Sequence, residues 1–387
     1  MKKLLSLIFM VFSIVMLNSC NEVKNELIIT TYLEGTNDNQ CIEIYNYSDK
    51  EVKLNNYSIN IYGTKDEIKS KVKLSGIVLP NECCVIVNSK ASQELLDKAD
   101  IKSDKLVFGG LEGIALAYKD AIVDVIGNIG KRNDMRDITY LRKVDMREPK
   151  TTFDMYDYII YDKDYIKYLG VYENSVTPEE LLEGPKFDLK YLEKEFILST
   201  SGASLMGSGG AVEVSLYRNV DGDTSYFIFP EELNIASFVN PDNIIYTNGM
   251  PSTKVRYQDI NTPETFTGGI EEWGWPAKLY TAKVQSEAEK IYVQSVLGDS
   301  LLCTYGRIMG YVFANKGEES VCINFMIIKQ GYSRVAINTT RDLKYKDVPY
   351  YGYLNNAMIY AERNGLGLHG DSLDPYWDYT KNKSIFA

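Results

Sequence analysis

Val255-Arg256-Tyr257-Gln258-Asp259-Ile260-Asn261-Thr262-Pro263-Glu264-Thr265, "VRYQDINTPET", decides how the second half of this chain is read. Its first half reads as a strand, and Asp-Ile-Asn-Thr-Pro reads as a polar turn that ends it. A carboxylate, Glu264, follows the proline. A second arginine, Arg307, stands further on in Thr304-Tyr305-Gly306-Arg307. The question is whether two guanidinium groups and one carboxylate meet in one site.

Upstream, "GAVEVSLYRNVDGDT" (Gly210 to Thr224) is a strand entering an acidic turn. Downstream, "PAKLYTAKVQSEAEKIYVQSVL" (Pro276 to Leu297) predicts a helix opened by proline. "SLLCTYGRIMGYVFA" and "SVCINFMIIKQG" predict strand, turn, strand and a helix ending at Gly331. "YLNNAMIYAERNG" predicts a last helix closed by Gly365. This order fits a small β-barrel with helices packed on it, an α+β arrangement.

The series "DGDT", "VRYQDINTPET", helix, "YGR" resembles the staphylococcal nuclease-like (thermonuclease) family over Gly210 to Gly370. The resemblance implies an OB-fold barrel that hydrolyses DNA and RNA with calcium. It implies that Arg256 and Arg307 hold the phosphate and that Glu264 orients the attacking water. It implies metal ligands at Asp223, Asn261 and Thr262. Guanidinium forks match the equatorial phosphate oxygens on which charge grows. Calcium takes hard oxygen ligands, which the acids of "DGD" supply. Asn261 departs from the aspartate usual there and removes one negative charge. Asp259, two residues earlier, is the expected compensation if the strand continues. Ile337-Asn338-Thr339 stands where some family members carry substrate-contacting tyrosines.

From Leu27 to about Gly170, short runs such as "CIEIYNYS" and "CCVIVNS" alternate with Asn/Asp/Gly/Ser turns and predict an all-β sandwich. Ile28 to Ile59 and the later Leu79-Pro80 resemble the lamin-tail domain, an immunoglobulin-like module that serves as a binding or targeting accessory; its partner stays unknown. Glu43 lies inside one of these runs as an isolated acid, and no chemistry is read from it. The expected organisation is a signal segment over 1–19, a tether over 20–26, the sandwich over 27–170, a linker over 171–209, the nuclease-like domain over 210–370 and a tail over 371–387. "TPEELLEG" within the linker predicts a short helix with Thr177 as cap.

The chain opens "MKKLLSLIFMVFSIVMLNSC": two lysines, an apolar run too short for a span, then small residues and Cys20. This is an export pattern, and "LNSC" resembles a bacterial lipobox, which implies lipidation of Cys20 and attachment to the outer face of a membrane. A formal charge of −11 argues against nonspecific coating of nucleic acid, so any polyanion site is local. With His369 the single histidine, the sequence argues against a three-histidine metal site and a serine–histidine relay. Two functions fit: a surface calcium-dependent nuclease, or a surface protein that binds nucleic acid or another ligand without turnover.

Overall fold

A computed structural model describes residues 26–198, 205–247, 249–266, 269–336 and 343–386. Cys20 with the export pattern, residues 199–204 of the expected linker, and Ile337-Asn338-Thr339 lie outside the described residues. The chain divides into two compact units. One is Met1–Asp157 with Lys163–Glu173; the other is Tyr158–Asp162 with Asn174–Ala387.

In the first unit, β1 (Leu27–Glu34), β2 (Gln40–Asn46), β5 (Cys83–Asn88), β6 (Ile101–Ser103) and β9 (Ile138–Arg142) share one sheet, in the order β9-β1-β2-β5-β6. β3 (Tyr57–Tyr62), β4 (Ile68–Lys73), β7 (Gly113–Tyr118) and β8 (Ala121–Ile126) form a second, in the order β8-β7-β3-β4. The immunoglobulin-like sandwich expected from the sequence is not this strand order, and β6 runs parallel to β5. Alternation tells which residues turn inward but not which strands pair, so the topology was open. A buried ion pair joins the sheets: Asp124 of β8 accepts from Arg142 Nη2 of β9 at 2.7 Å and from the Ile29 amide of β1 at 2.7 Å.

In the second unit, the helix α1 (Pro178–Glu183) is capped by Thr177, whose side chain accepts from the Glu180 amide while Glu180 reaches back to the Thr177 amide. The main sheet contains β10 (Ala211–Asn219), β11 (Thr224–Ile228), β12 (Ile244–Thr247), β13 (Met250–Tyr257), β14 (Lys290–Gln294), β15 (Ile308–Lys316) and β16 (Glu319–Cys322). Their order is β12-β13-β11-β10-β14-β15-β16. The sheet is not the closed OB-fold barrel expected. β12 and β16 remain as its two ends, and β13 meets β15 only through Val255–Ile308, Arg256–Met309 and Tyr257–Gly310, in parallel. That short contact is nevertheless what brings the strand of Arg256 beside the turn of Arg307.

Helix α2 (Gly274–Glu287) ends ten residues before the predicted Leu297, and Lys290–Gln294 is strand. Ile291, Tyr292 and Val293 are β-branched or aromatic, and all are buried, so pairing with β10 and β15 wins over helical continuation. Helix α3 (Ile323–Lys329) is followed by Gly331 with a left-handed φ of 74°, and α4 (Tyr350–Arg363) by Gly365 at 57°. The core under the site is Phe227, Val255, Tyr257, Ile308 and Val312, each no more than 1% exposed.

Candidate active site

Residues alternate along β13: Thr253, Val255 and Tyr257 are buried, while Lys254 and Arg256 take the other face. Opposite Arg256 across the sheet stands Thr224, just after the Asp221-Gly222-Asp223 turn. That turn needs glycine. A Cβ on Gly222 would lie 2.7 Å from both Ala277 Cβ and Thr262 Cγ2, so the turn is wedged between α2 and the Thr262–Glu264 loop. The Gly222 carbonyl accepts from Thr281 Oγ1 at 2.7 Å.

Asp223 is buried and fully engaged. Its Oδ2 accepts from the Thr262 amide at 2.6 Å and from Thr262 Oγ1 at 2.9 Å. Its Oδ1 accepts from Thr224 Oγ1 at 2.9 Å and pairs with Arg256 Nη1. Arg256 Nη2 donates to Asn261 Oδ1 and, at 3.1 Å, to the Ile260 carbonyl. The side-chain oxygens of Asp223 and Asn261 are therefore engaged with protein groups. Among the described residues no group of three or more His, Cys, Asp or Glu side chains is placed to hold a metal ion. No such cluster supports the metal-binding expectation, and Asp223 pairs with Arg256 instead; the ligand set Asp223, Asn261 and Thr262 stays an expectation. Asp259 does not compensate. Its backbone adopts a left-handed φ of 61°, and its buried carboxylate accepts from Tyr311 Oη at 2.5 Å and Gln258 Nε2 at 3.0 Å.

Arg307 precedes β15 at the end of the turn Cys303–Gly306. Gly306 has a φ of 70°, and its amide donates to the Cys303 carbonyl at 2.8 Å. Arg307 Nε donates to Cys303 Sγ at 3.5 Å, and the guanidinium lies 5.5 Å from the centre of the Tyr305 ring. Its terminal amino groups make no ion pair among the described residues, so Arg307 is the freer anion donor of the two. Burial pushes the Cys303 thiol up, but the Arg307 hydrogen bond and charge outweigh it and leave the thiol below its ordinary range. The segment before β12 supports this turn: Asn243 Nδ2 donates to the Tyr305 carbonyl at 2.9 Å, and the Asn240 amide to the Gly306 carbonyl at 3.3 Å.

Glu264 is half-buried. Its amide donates to Glu271 Oε2 at 2.9 Å, and the Glu271 amide returns to the Glu264 carbonyl at 2.9 Å, which closes the loop. Burial raises the Glu264 carboxyl above the ordinary glutamate range, Asp221 and Glu271 add to the rise, and Arg256 and Arg307 oppose it. Burial likewise raises Asp221, opposed by Arg256 and Arg307. Burial lowers Arg256, helped by the Arg307 charge and opposed by Asp221 and Glu264. Arg256, Arg307, Glu264 and Asp221 thus share one electrostatic neighbourhood.

Sequence reading missed two parts of this arrangement. Asp221, next to the Asp223 that pairs with Arg256, also lies within the charge of both arginines. The tail is structured: Asp374 Oδ2 accepts from the Trp273 amide at 2.6 Å, Tyr379 donates to Glu272, and the Phe386 ring packs 4.4 Å from Trp275. It braces the junction between the Glu264 loop and α2.

Residues 254–368 match the family model described as Staphylococcal nuclease homologue. The chain is also similar to the uncharacterized protein MJ1439 of Methanocaldococcus jannaschii, at 27% identity over 161 residues, covering 35% of this chain and 70% of that protein. The stretch that carries Arg256, Glu264 and Arg307 is therefore a staphylococcal-nuclease-like domain.

Proposed function

We propose that the second unit hydrolyses phosphodiester bonds of DNA or RNA, with Arg256 and Arg307 on the phosphate and Glu264 as the base. The observation that carries this reading is that both arginine charges act on Glu264, from strands paired at Val255–Ile308 and Arg256–Met309. A water held by Glu264 attacks phosphorus and passes its proton to the carboxylate. A P–O bond forms to the water oxygen, the opposite P–O ester bond breaks, and the leaving oxygen takes a proton from solvent. Charge that gathers on the equatorial oxygens meets the two guanidinium groups. A carboxyl raised above its ordinary range is a better base than a free glutamate, provided the pH keeps it ionised. Asp223 and Asn261 are paired with Arg256, so no step is routed through a metal.

Hydrolysis of a single-stranded oligonucleotide by the wild type, Arg307→Ala and Glu264→Ala tests the reading. Each variant should lose on the order of 10²–10³ in rate. A folded wild type that cleaves nothing would remove it. The engagement of Arg256 with Asp223 and Asn261 favours one alternative, a surface protein that binds nucleic acid or another ligand without turnover; strand binding without cleavage would select it. The export pattern supports attachment to the outer face of a bacterial membrane through lipidated Cys20, with the first unit as an addressing accessory. Loss of membrane recovery in Cys20→Ala tests that attachment.

A further inference from the structure

A second positive locus lies beside the arginine clamp. Arg218 of β10 stands opposite Tyr226 of β11, and Tyr226 stands opposite Lys254 of β13, so the three form one row across the sheet. The Arg218 guanidinium lies 5.2 Å from the centre of the Tyr226 ring and the Lys254 ammonium 5.3 Å from it. Neither cation has an ion-pair partner among the described residues. Two like charges on one ring, without a counter-charge, cost free energy that an anion between them would recover. Lys254 and Arg256 share a face of β13 two residues apart, about 7 Å along the strand. Thr224, opposite Arg256, is likewise two residues from Tyr226. The row is therefore one step along the sheet from the clamp, on the same face. Lys278 of α2 adds to it: burial lowers its ammonium, Arg218 pushes the same way and Asp221 opposes.

We propose that Arg218 and Lys254, spaced by Tyr226, bind the backbone phosphate next to the one held by Arg256 and Arg307. A single strand then lies along β13 with its phosphates on this face. The inference rests on the phosphodiester reading for its register but on its own residues for its charge. It explains how a chain of net charge −11 holds a polyanion: the positive field is confined to one face of three strands. It also names the substrate as a strand with more than one phosphate, where the clamp alone needs one.

The test is binding of a labelled oligothymidylate across a salt series, with phosphorothioate linkages that keep the charge and resist hydrolysis. It uses the full chain, the double variant Arg218→Gln/Lys254→Gln, and Lys316→Gln, at the far end of β15 from Arg307, as a charge control. The double variant should bind roughly tenfold more weakly, with the slope of log K against log salt shallower by about 0.7, one single-strand phosphate contact. Cleavage of a dinucleotide, which has one phosphate between its sugars, should be unchanged. The proposal is overturned if the double variant keeps the wild-type slope, or if Lys316→Gln loses as much. Equal melting temperatures show that both variants are folded. A wild type that binds with the steep slope yet cleaves nothing would remove the nuclease reading and leave this locus standing.

Discussion

Arg256 and Asp223 are bound to each other at the centre of the site, guanidinium to carboxylate, and Asp223 also receives Thr262 and Thr224. One buried carboxylate thus fixes the strand of one arginine and the turn that leads to Glu264.

Asp223→Ala should accordingly act first on stability. It strips the partly buried Arg256 of its carboxylate partner and leaves the Thr262 amide without that acceptor. The expected loss is about 3 kcal/mol, read from urea unfolding. A loss below about 1 kcal/mol would mean that the pairing does not hold the site together.

The pH profile of kcat/KM should carry the mark of Glu264. A base works ionised, so activity falls as pH drops through its pKa, which burial and Asp221 place above the ordinary glutamate value. Asp221→Asn removes one of the charges that raise it. The acid limb should then move to lower pH, whereas an unmoved limb would assign it to another group.

A calcium ion on Asp223 must displace Arg256, and Asn261 offers no charge in return. Calorimetric titration should therefore give dissociation no tighter than about 10⁻⁴ M. Micromolar binding would show that Arg256 leaves Asp223 readily.

In the first unit, Glu43 is buried in β2 and accepts from Thr30 Oγ1 at 2.7 Å, Thr31 Oγ1 at 3.0 Å and the Gly170 amide at 2.6 Å. Burial raises its carboxyl to about 7 despite those bonds. The folded state therefore holds a proton that the unfolded chain releases near 4.5, and this stability is lost as pH rises from there through about 7. The loss is on the order of 3 kcal/mol. Urea midpoints from about pH 5 to about pH 8 should fall for the wild type and stay flatter for Glu43→Gln; parallel slopes would place the titration elsewhere.

Much of this was legible. "VRYQDINTPET" declared its strand and turn because alternation, Asp259 and Pro263 are local signals. The caps at Thr177 and Gly365 were legible for the same reason. Strand order was not, since pairing is nonlocal: neither the two-ended sheet around β13 nor the order of the first unit follows from periodicity. Helix α2 was read too long because Ile291 and Val293 suit either element until β10 and β15 are beside them. Glu43 was set aside as an isolated acid because its three donors come from Thr30, Thr31 and the distant Gly170. Asp221 was passed over because Asp-Gly-Asp is a plain turn signal, and its nearness to both arginines depends on nonlocal pairing.

The most direct test is the rate of single-turnover cleavage of a single-stranded oligonucleotide by Arg307→Ala, compared with Arg307→Lys and the wild type. Shared action of two guanidinium groups on one phosphate predicts a fall of about 10²–10³ for alanine, with lysine recovering only part of it. Cleavage by Arg307→Ala at the wild-type rate would contradict that convergence.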